Sequence, residues 1–227
     1  MTLRFGIVSA LTLALALALP SHAQAAKHQR SWTFTFAADT LGHAPANSVR
    51  FGGAWEVVVD SSRVAGDSAL SDTAAALPRV LRQSEDDDGI KFHYIQFPKP
   101  ALKDQVVSVR FRILDGEIDP TAGVMLQVDP KGRNGYIVRY SGASGELIAH
   151  YLTYGKRRDL HFCKVEKLEA NTWHTLETER VGFTMIVRLD GEEKFRIRDE
   201  RFTNGSAGLW TEDDTIVDFE QFKVSMR

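Results

Sequence analysis

The run "TEDDT", Thr211 to Thr215, holds the densest set of side chains able to move protons. Glu212 with Asp213 or Asp214 has the residue types of a catalytic pair, one acid and one base. Neighbours on a strand point to opposite faces, so without a loop to bring them together the run reads as a solvated turn. "EDDDG", Glu85 to Gly89, matches the first half of a calcium loop, but position twelve counted from Asp86 is Phe97 rather than Glu. It reads as a charged hairpin turn. His93, His150 and His161 supply enough imidazoles for a zinc site, yet their spacing fits no ligand signature, and each reads as a separate strand histidine. Cys163 is the single cysteine, which excludes an internal disulfide, a Cys-based metal site and a redox pair. Set in "LHFCKV", it reads as a small buried filler.

The elements that must position these groups are strands. Alternation with a period of two runs through "SWTFTFA", "AWEVVVD", "KFHYIQFP", "QVVSVRFRIL", "GYIVRYS", "LHFCKVE" and "TIVDFEQFKVSM". Between the runs lie "DPKGRNG", "SGASG" and "LDGEE", rich in the Gly, Asn and Asp that tight turns need. Asp190-Gly191 is the strongest hairpin signal. "SDTAAALPRV" starts like a helix, but Pro78 cuts it short. About fourteen short strands with short turns predict an all-β sandwich of two antiparallel sheets.

The chain has 227 residues and a net charge of -2. The short basic run "GKRRD", Gly155 to Asp159, lies between strand patterns and reads as a loop, so nothing points to nucleic acid. Residues 1–25 have the form of a secretory signal: Arg4, an apolar run from Phe5 to Leu19, a break at Pro20, and Ala23-Gln24-Ala25 before the cut. The rival reading, a membrane anchor, suffers from the shortness of that run. No cysteine near the cut suggests a lipid anchor. The expectation is an exported protein, periplasmic or extracellular, with no membrane span and one domain over residues 26–227.

Several pieces in order carry a resemblance. They are "F-x-F…D" at Phe34, Phe36 and Asp39, "G-x-W-x-V" at Gly53 to Val57, and "A-G-V" at Ala122 to Val124. "G-Y-I-V-R" follows at Gly135 to Arg139, "W-H-T-L" at Trp173 to Leu176, and "V-R-L-D-G" at Val187 to Gly191. The last are "G-L-W-T" at Gly208 to Thr211 and "V-D-F-E-Q-F-K-V" at Val217 to Val224. Together they resemble the concanavalin A-like lectin/glucanase jelly roll. Within it they are similar to the 3-keto-disaccharide hydrolase, or family 16-like glycoside hydrolase, domains. The implied fold is a jelly-roll sandwich, concanavalin A-like or laminin G-like.

The resemblance also implies a parity. Val124, Leu126, Val128, Tyr136, Val138 and Tyr140 face the core, while Met125, Gln127, Ile137 and Arg139 line a concave sheet, joined by Arg112 from a neighbouring strand. Trp210 and Glu212 occupy positions that face the cleft in hydrolase-like members. Where those members carry an Arg and a Glu, this chain has Gln127 and Ile137, so the obvious carboxylate is missing. The implied function is an exported carbohydrate-binding module. Arg112, Gln127, Arg139 and Glu212 would take sugar hydroxyls, and Trp210 would stack on a pyranose. Two alternatives stand beside it: a glycoside hydrolase with Glu212 as the acid, and a non-sugar interaction module of laminin G-like fold. No cofactor is required by this reading. The family 16 relatives imply a structural calcium held by Asp39 and Glu220. Trp32, Trp55 and Trp173 are read as core.

Overall fold

The computed structural model describes residues 30–64, 77–87 and 91–227; the leader-like residues 1–25 and the helix-like start at 71–76 lie outside these. Fifteen strands, numbered along the chain, and one four-residue helical turn, α1 (Ser61–Val64), make up the described fold. No helix among the described residues is long and apolar enough to cross a membrane.

The strands form two antiparallel sheets. The eight-stranded sheet runs β13 (Glu192–Arg198), β12 (Thr184–Leu189), β11 (His174–Val181), β6 (Gln105–Asp115), β15 (Ile216–Met226), β4 (Arg79–Gln83) and β3 (Trp55–Val59), with β1 (Ser31–Phe34) also paired to β15. The seven-stranded sheet runs β10 (Lys156–Lys164), β9 (Glu146–Thr153), β8 (Gly135–Ser141), β7 (Thr121–Val128), β14 (Gly205–Glu212), β5 (Phe92–Leu102) and β2 (Val49–Phe51).

Alternation decides which residues meet between the sheets. Val107, Val109 and Phe111 of β6 join the same core as Val124 and Leu126 of β7 and Val138 of β8. Burying one such side chain contributes about 1.5–3 kcal/mol. Phe97 anchors one end, with ring centroids 4.6 Å from Phe34 and 5.0 Å from Phe222. At Asp190-Gly191 both residues take positive φ, 51° and 83°, closing β12 onto β13 as a two-residue hairpin.

The expected parity breaks at one place. Ser206 pairs with Val128, but Gly208 pairs with Met125, so Leu126 and Gln127 together oppose Ala207. This is a β-bulge, with Gln127 at φ 49°. A Cβ on Gly205 would lie 2.3 Å from the Gln127 carbonyl carbon, so only glycine lets the two backbones meet there. Beyond the bulge the alternation is offset. Val128, expected in the main core, instead packs with Met125, Ile137, Leu152 and Trp210 in a second apolar cluster. Cys163 is half-buried and packs against the main core, as a filler does.

Candidate binding face of the seven-stranded sheet

Trp210 and Glu212 lie two residues apart on β14, so both project to the outer face. The Trp210 ring is buried between Phe92, at 4.9 Å, and Tyr94, which stacks on it at 5.1 Å. Phe51 stacks on the far side of Tyr94 at 4.8 Å. Four aromatic rings therefore adjoin across β2, β5 and β14. Beside them, Met125, Val128, Ile137 and Leu152 complete an apolar floor.

Polar groups converge on one oxygen at the edge of this floor. Glu212 Oε1 accepts from Trp210 Nε1 at 2.8 Å and meets Arg139 Nε at 3.0 Å. It also accepts from Arg157 on β10. Arg139 itself is buried and reaches Asp119 Oδ2 at 2.9 Å and Thr121 Oγ1 at 3.1 Å through one terminal nitrogen. Its Nε lies 3.1 Å from His150 Nε2, and His150 Nδ1 lies 2.9 Å from Asp159 Oδ1.

The Arg157–Glu212 pair defines the shape of the face. β10 and β14 are separated by four inter-strand steps in the sheet. In a flat sheet that is about 19 Å, too far for one side-chain pair. The Arg157 guanidinium also lies 4.7 Å from the Phe92 ring centroid on β5, one strand further on. The sheet must therefore curl strongly enough to bring its β10 edge over the floor, and the face is concave.

Burial and charge together fix the state of the imidazole. Burial first, then Arg157 and Arg139, push the His150 pKa down to about 3, and Asp159 opposes this without prevailing. His150 is therefore neutral near pH 7. Its Nδ1–H donates to Asp159, leaving the Nε2 lone pair to accept from Arg139. Nearby, burial raises the Asp213 carboxyl pKa; the Lys91 amide N–H works against this, while Glu212, Asp119 and Asp214 add to the rise.

Of the residues expected from sequence, Arg139, Trp210 and Glu212 are brought together, but the Trp210 ring is fully buried against Phe92 and Tyr94 and supports those rings instead of offering its own face to a sugar. Two are not. Arg112 lies on β6, in the other sheet, and pairs with Asp60 at 3.1 Å and Asp218 at 2.7 Å. Gln127 turns inward at the bulge, accepting from Arg180 Nε at 3.2 Å and donating to the Lys103 carbonyl at 2.8 Å. The Asp39–Glu220 pairing for calcium does not fit either. Glu220 gives Oε1 to Arg110 and Oε2 to Arg63, so a divalent cation there would sit against two guanidinium groups. Trp173, read as core, is half-buried, with the guanidinium carbons of Arg63, Arg110 and Arg112 at 4.7–5.5 Å from its ring. Trp55 is core, and Trp32 packs against the core half-buried.

The histidines divide. His161 packs on Phe195 at 4.9 Å, and His150 belongs to the polar network around Glu212 and Arg139. His93, with Glu85 and Asp87, brings one ligand atom each to within 4.8 Å of the others, but Asp87 already holds the Lys91 ammonium. Sequence reasoning missed His150, Arg157, Phe92 and Tyr94 as members of the face. The alternation of β9 does align His150 with Leu152. Arg157 gives no local signal, because its contact depends on the curl of the whole sheet.

A scan against protein-family models finds no match, and a search of curated proteins finds none. Among solved structures, the chain is similar to the carbohydrate-binding module CBM66 from Bacillus subtilis, with TM-score 0.61 and 17% identity, covering 78% of this chain and 94% of that one. It is similar to a Bacillus subtilis protein of unknown function with a galectin-like fold, with TM-score 0.55 and 11% identity over 80% of this chain and 90% of that one. The exoplasmic/lumenal domain of VIP36, in its Ca2+/Man3GlcNAc-bound form, aligns with TM-score 0.51 and 14% identity over 75% of this chain and 82% of that one. At these identities the likeness shows the fold, which is the concanavalin A-like jelly-roll sandwich that the sequence resembles.

Proposed function

We propose that the protein is an exported carbohydrate-binding module whose ligand lies on the concave face of the seven-stranded sheet. The observation that carries this is the convergence of Trp210, Glu212 and Arg139 beside an aromatic and apolar floor. Apolar walls with a few fixed polar groups are the usual make-up of a small-molecule site. Aromatic rings suit the C–H face of a sugar, and a carboxylate with a guanidinium suits its hydroxyls. Two of the similar structures are a carbohydrate-binding module and a glycan-bound lumenal domain, which supports the reading at the level of fold. Export rests on the signal-like residues 1–25, which lie outside the described residues.

Binding is favoured over cleavage by the disposition of Glu212. One of its oxygens already receives Trp210, Arg139 and Arg157, an arrangement of an acceptor rather than of a proton donor poised on a leaving group.

The test is a glycan array probed with the full chain, followed by titration of the glycans that bind. Arg139→Lys keeps the charge but loses the planar fork, and should weaken binding by about tenfold, the equivalent of one charge-assisted hydrogen bond. Trp210→Ala should abolish it. An array with no signal, or affinity unchanged in both variants, rules out this face as the binding site.

A further inference from the structure

We propose that the ligand of this face carries a positive charge, as an amino sugar does, and that Arg157 is its resident stand-in. This rests on the carbohydrate reading above. Arg157 and Glu212 differ in how firmly they are held. Glu212 sits on β14, between β7 and β5, and its side chain is 3% exposed. Arg157 sits on β10, an edge strand bonded on one side only, whose register with β9 shifts between Asp159 and His161. Its side chain is 20% exposed. When the pair separates, Arg157 is the partner able to leave.

The Arg157 guanidinium makes two kinds of contact, both of which select for a cation. It pairs with the Glu212 carboxylate and lies 4.7 Å from the Phe92 centroid. A carboxylate beside an aromatic ring is a receptor for an ammonium group. Once Arg157 withdraws, Glu212, Asp119 and Asp159 face Arg139 as the remaining cation of the network, since His150 is neutral. The side chain of Asp159 is 83% exposed, so it lies open to an approaching charge. An anionic ligand would enter this field at a cost, and a neutral glycan would gain nothing from it.

The vacated position therefore favours a protonated amine next to a ring that stacks on Phe92, which Trp210 supports from beneath. Arg157 closes the same position while the face is empty. Any ligand binding there competes with it, so its removal raises apparent affinity in proportion to the closed population.

Calorimetric titration of the full chain with a glucosamine pentamer, and in parallel with its fully N-acetylated counterpart, tests this. The cationic pentamer should bind with an affinity that falls as salt is added. Arg157→Ala should bind it about fivefold more tightly. Glu212→Gln should bind it about tenfold more weakly, having lost the charge that pairs the amine. Because Glu212 is buried, Phe92→Leu supplies a second variant that leaves the carboxylate in place and should also weaken the cationic pentamer selectively. If the N-acetylated pentamer binds as tightly as the cationic one, or if Arg157→Ala binds the cationic pentamer less tightly than the parent chain, the cation assignment is wrong and the carbohydrate reading stands. If neither pentamer binds the parent chain or Arg157→Ala, the cation assignment is again wrong, and the glycan array decides the carbohydrate reading separately.

Discussion

The outer faces of the two sheets use the same residue types to opposite ends. On the eight-stranded sheet, Asp218 accepts from Arg82 at 2.7 and 3.0 Å and from Arg112 at 2.7 Å. Glu220 is held between Arg63 and Arg110, and Asp60 between Arg63 and Arg112. Both oxygens of each carboxylate meet a guanidinium, and three of those guanidiniums surround Trp173. On the seven-stranded sheet, three donors crowd a single oxygen of Glu212 beside an apolar floor. The first network is closed on itself. The second keeps aromatic rings and unequally held charges together, which is what a ligand can exploit.

The largest expected effect comes from opening the closed network. Asp218 is fully buried and shared by two arginines, one of them, Arg112, itself nearly buried. Asp218→Asn leaves Arg112 with Asp60 as its one carboxylate partner and takes from Arg82 the carboxylate that binds it through two nitrogens. Breaking a buried pair from one side typically costs about 3–5 kcal/mol. Because Asp60 stays beside Arg112, urea unfolding should show a loss at the lower end of that range, with glycan affinity of the folded fraction unchanged. Parallel losses of stability and of affinity would erase the distinction between the two faces.

A smaller and pH-dependent effect belongs to the network on the seven-stranded sheet. His150 packs against Arg139 of β8 and Asp159 of β10, with Arg157 of β10 and Glu212 of β14 in the same network. Its folded pKa, about 3, lies below the ordinary histidine value of 6.5. Between these values the unfolded chain takes up a proton that the folded chain refuses. Stability therefore falls as pH drops from 6.5 toward 3, by at most about 1.4 kcal/mol per pH unit from this residue. His150→Gln retains hydrogen-bonding groups and should remove that part of the slope. Unfolding free energies measured from pH 4 to 7 should diverge between the two chains; curves that stay parallel would show that His150 is already charged in the fold.

Much of this architecture was legible in the sequence, because period-two alternation is a local property. Alternation groups Val124 with Leu126 and Tyr136 with Val138 and Tyr140, the resemblance implied that these faces point inward, and the Asp190-Gly191 hairpin follows from its turn. Gln127 and Val128 were misassigned because a bulge adds one residue without changing the residue types that alternate. Arg112 was placed on the wrong sheet because adjacency in sequence, β6 before β7, does not mean adjacency in a sandwich whose chain crosses between layers. Trp173 was read as core because a tryptophan's large apolar ring is usually covered, but it has two ways to be covered. Only the tertiary fold reveals that guanidinium groups, rather than aliphatic side chains, do the covering. Arg157 could not be read at all: its partners lie 55 and 65 positions away in sequence, on strands that only curvature brings near.

The smallest effect tests whether the closed network is cooperative or merely crowded. Arg63 bridges Asp60 and Glu220 and lies 5.5 Å from the Trp173 centroid, but its side chain is 39% exposed. Glu220 keeps Arg110 when Arg63 is removed, and Asp60 keeps Arg112. No carboxylate is left without a guanidinium. Arg63→Gln should therefore cost less than about 1 kcal/mol, the range of an exposed ion pair together with a weak cation–π contact. The informative measurement is the double mutant with Arg110→Gln, which strips Glu220 of both partners. If the network is cooperative, the pair should cost clearly more than the sum of the single changes, because only then is a buried carboxylate left unpaired. Simple additivity would mean that water already reaches Glu220, and that this face is less closed than its geometry implies.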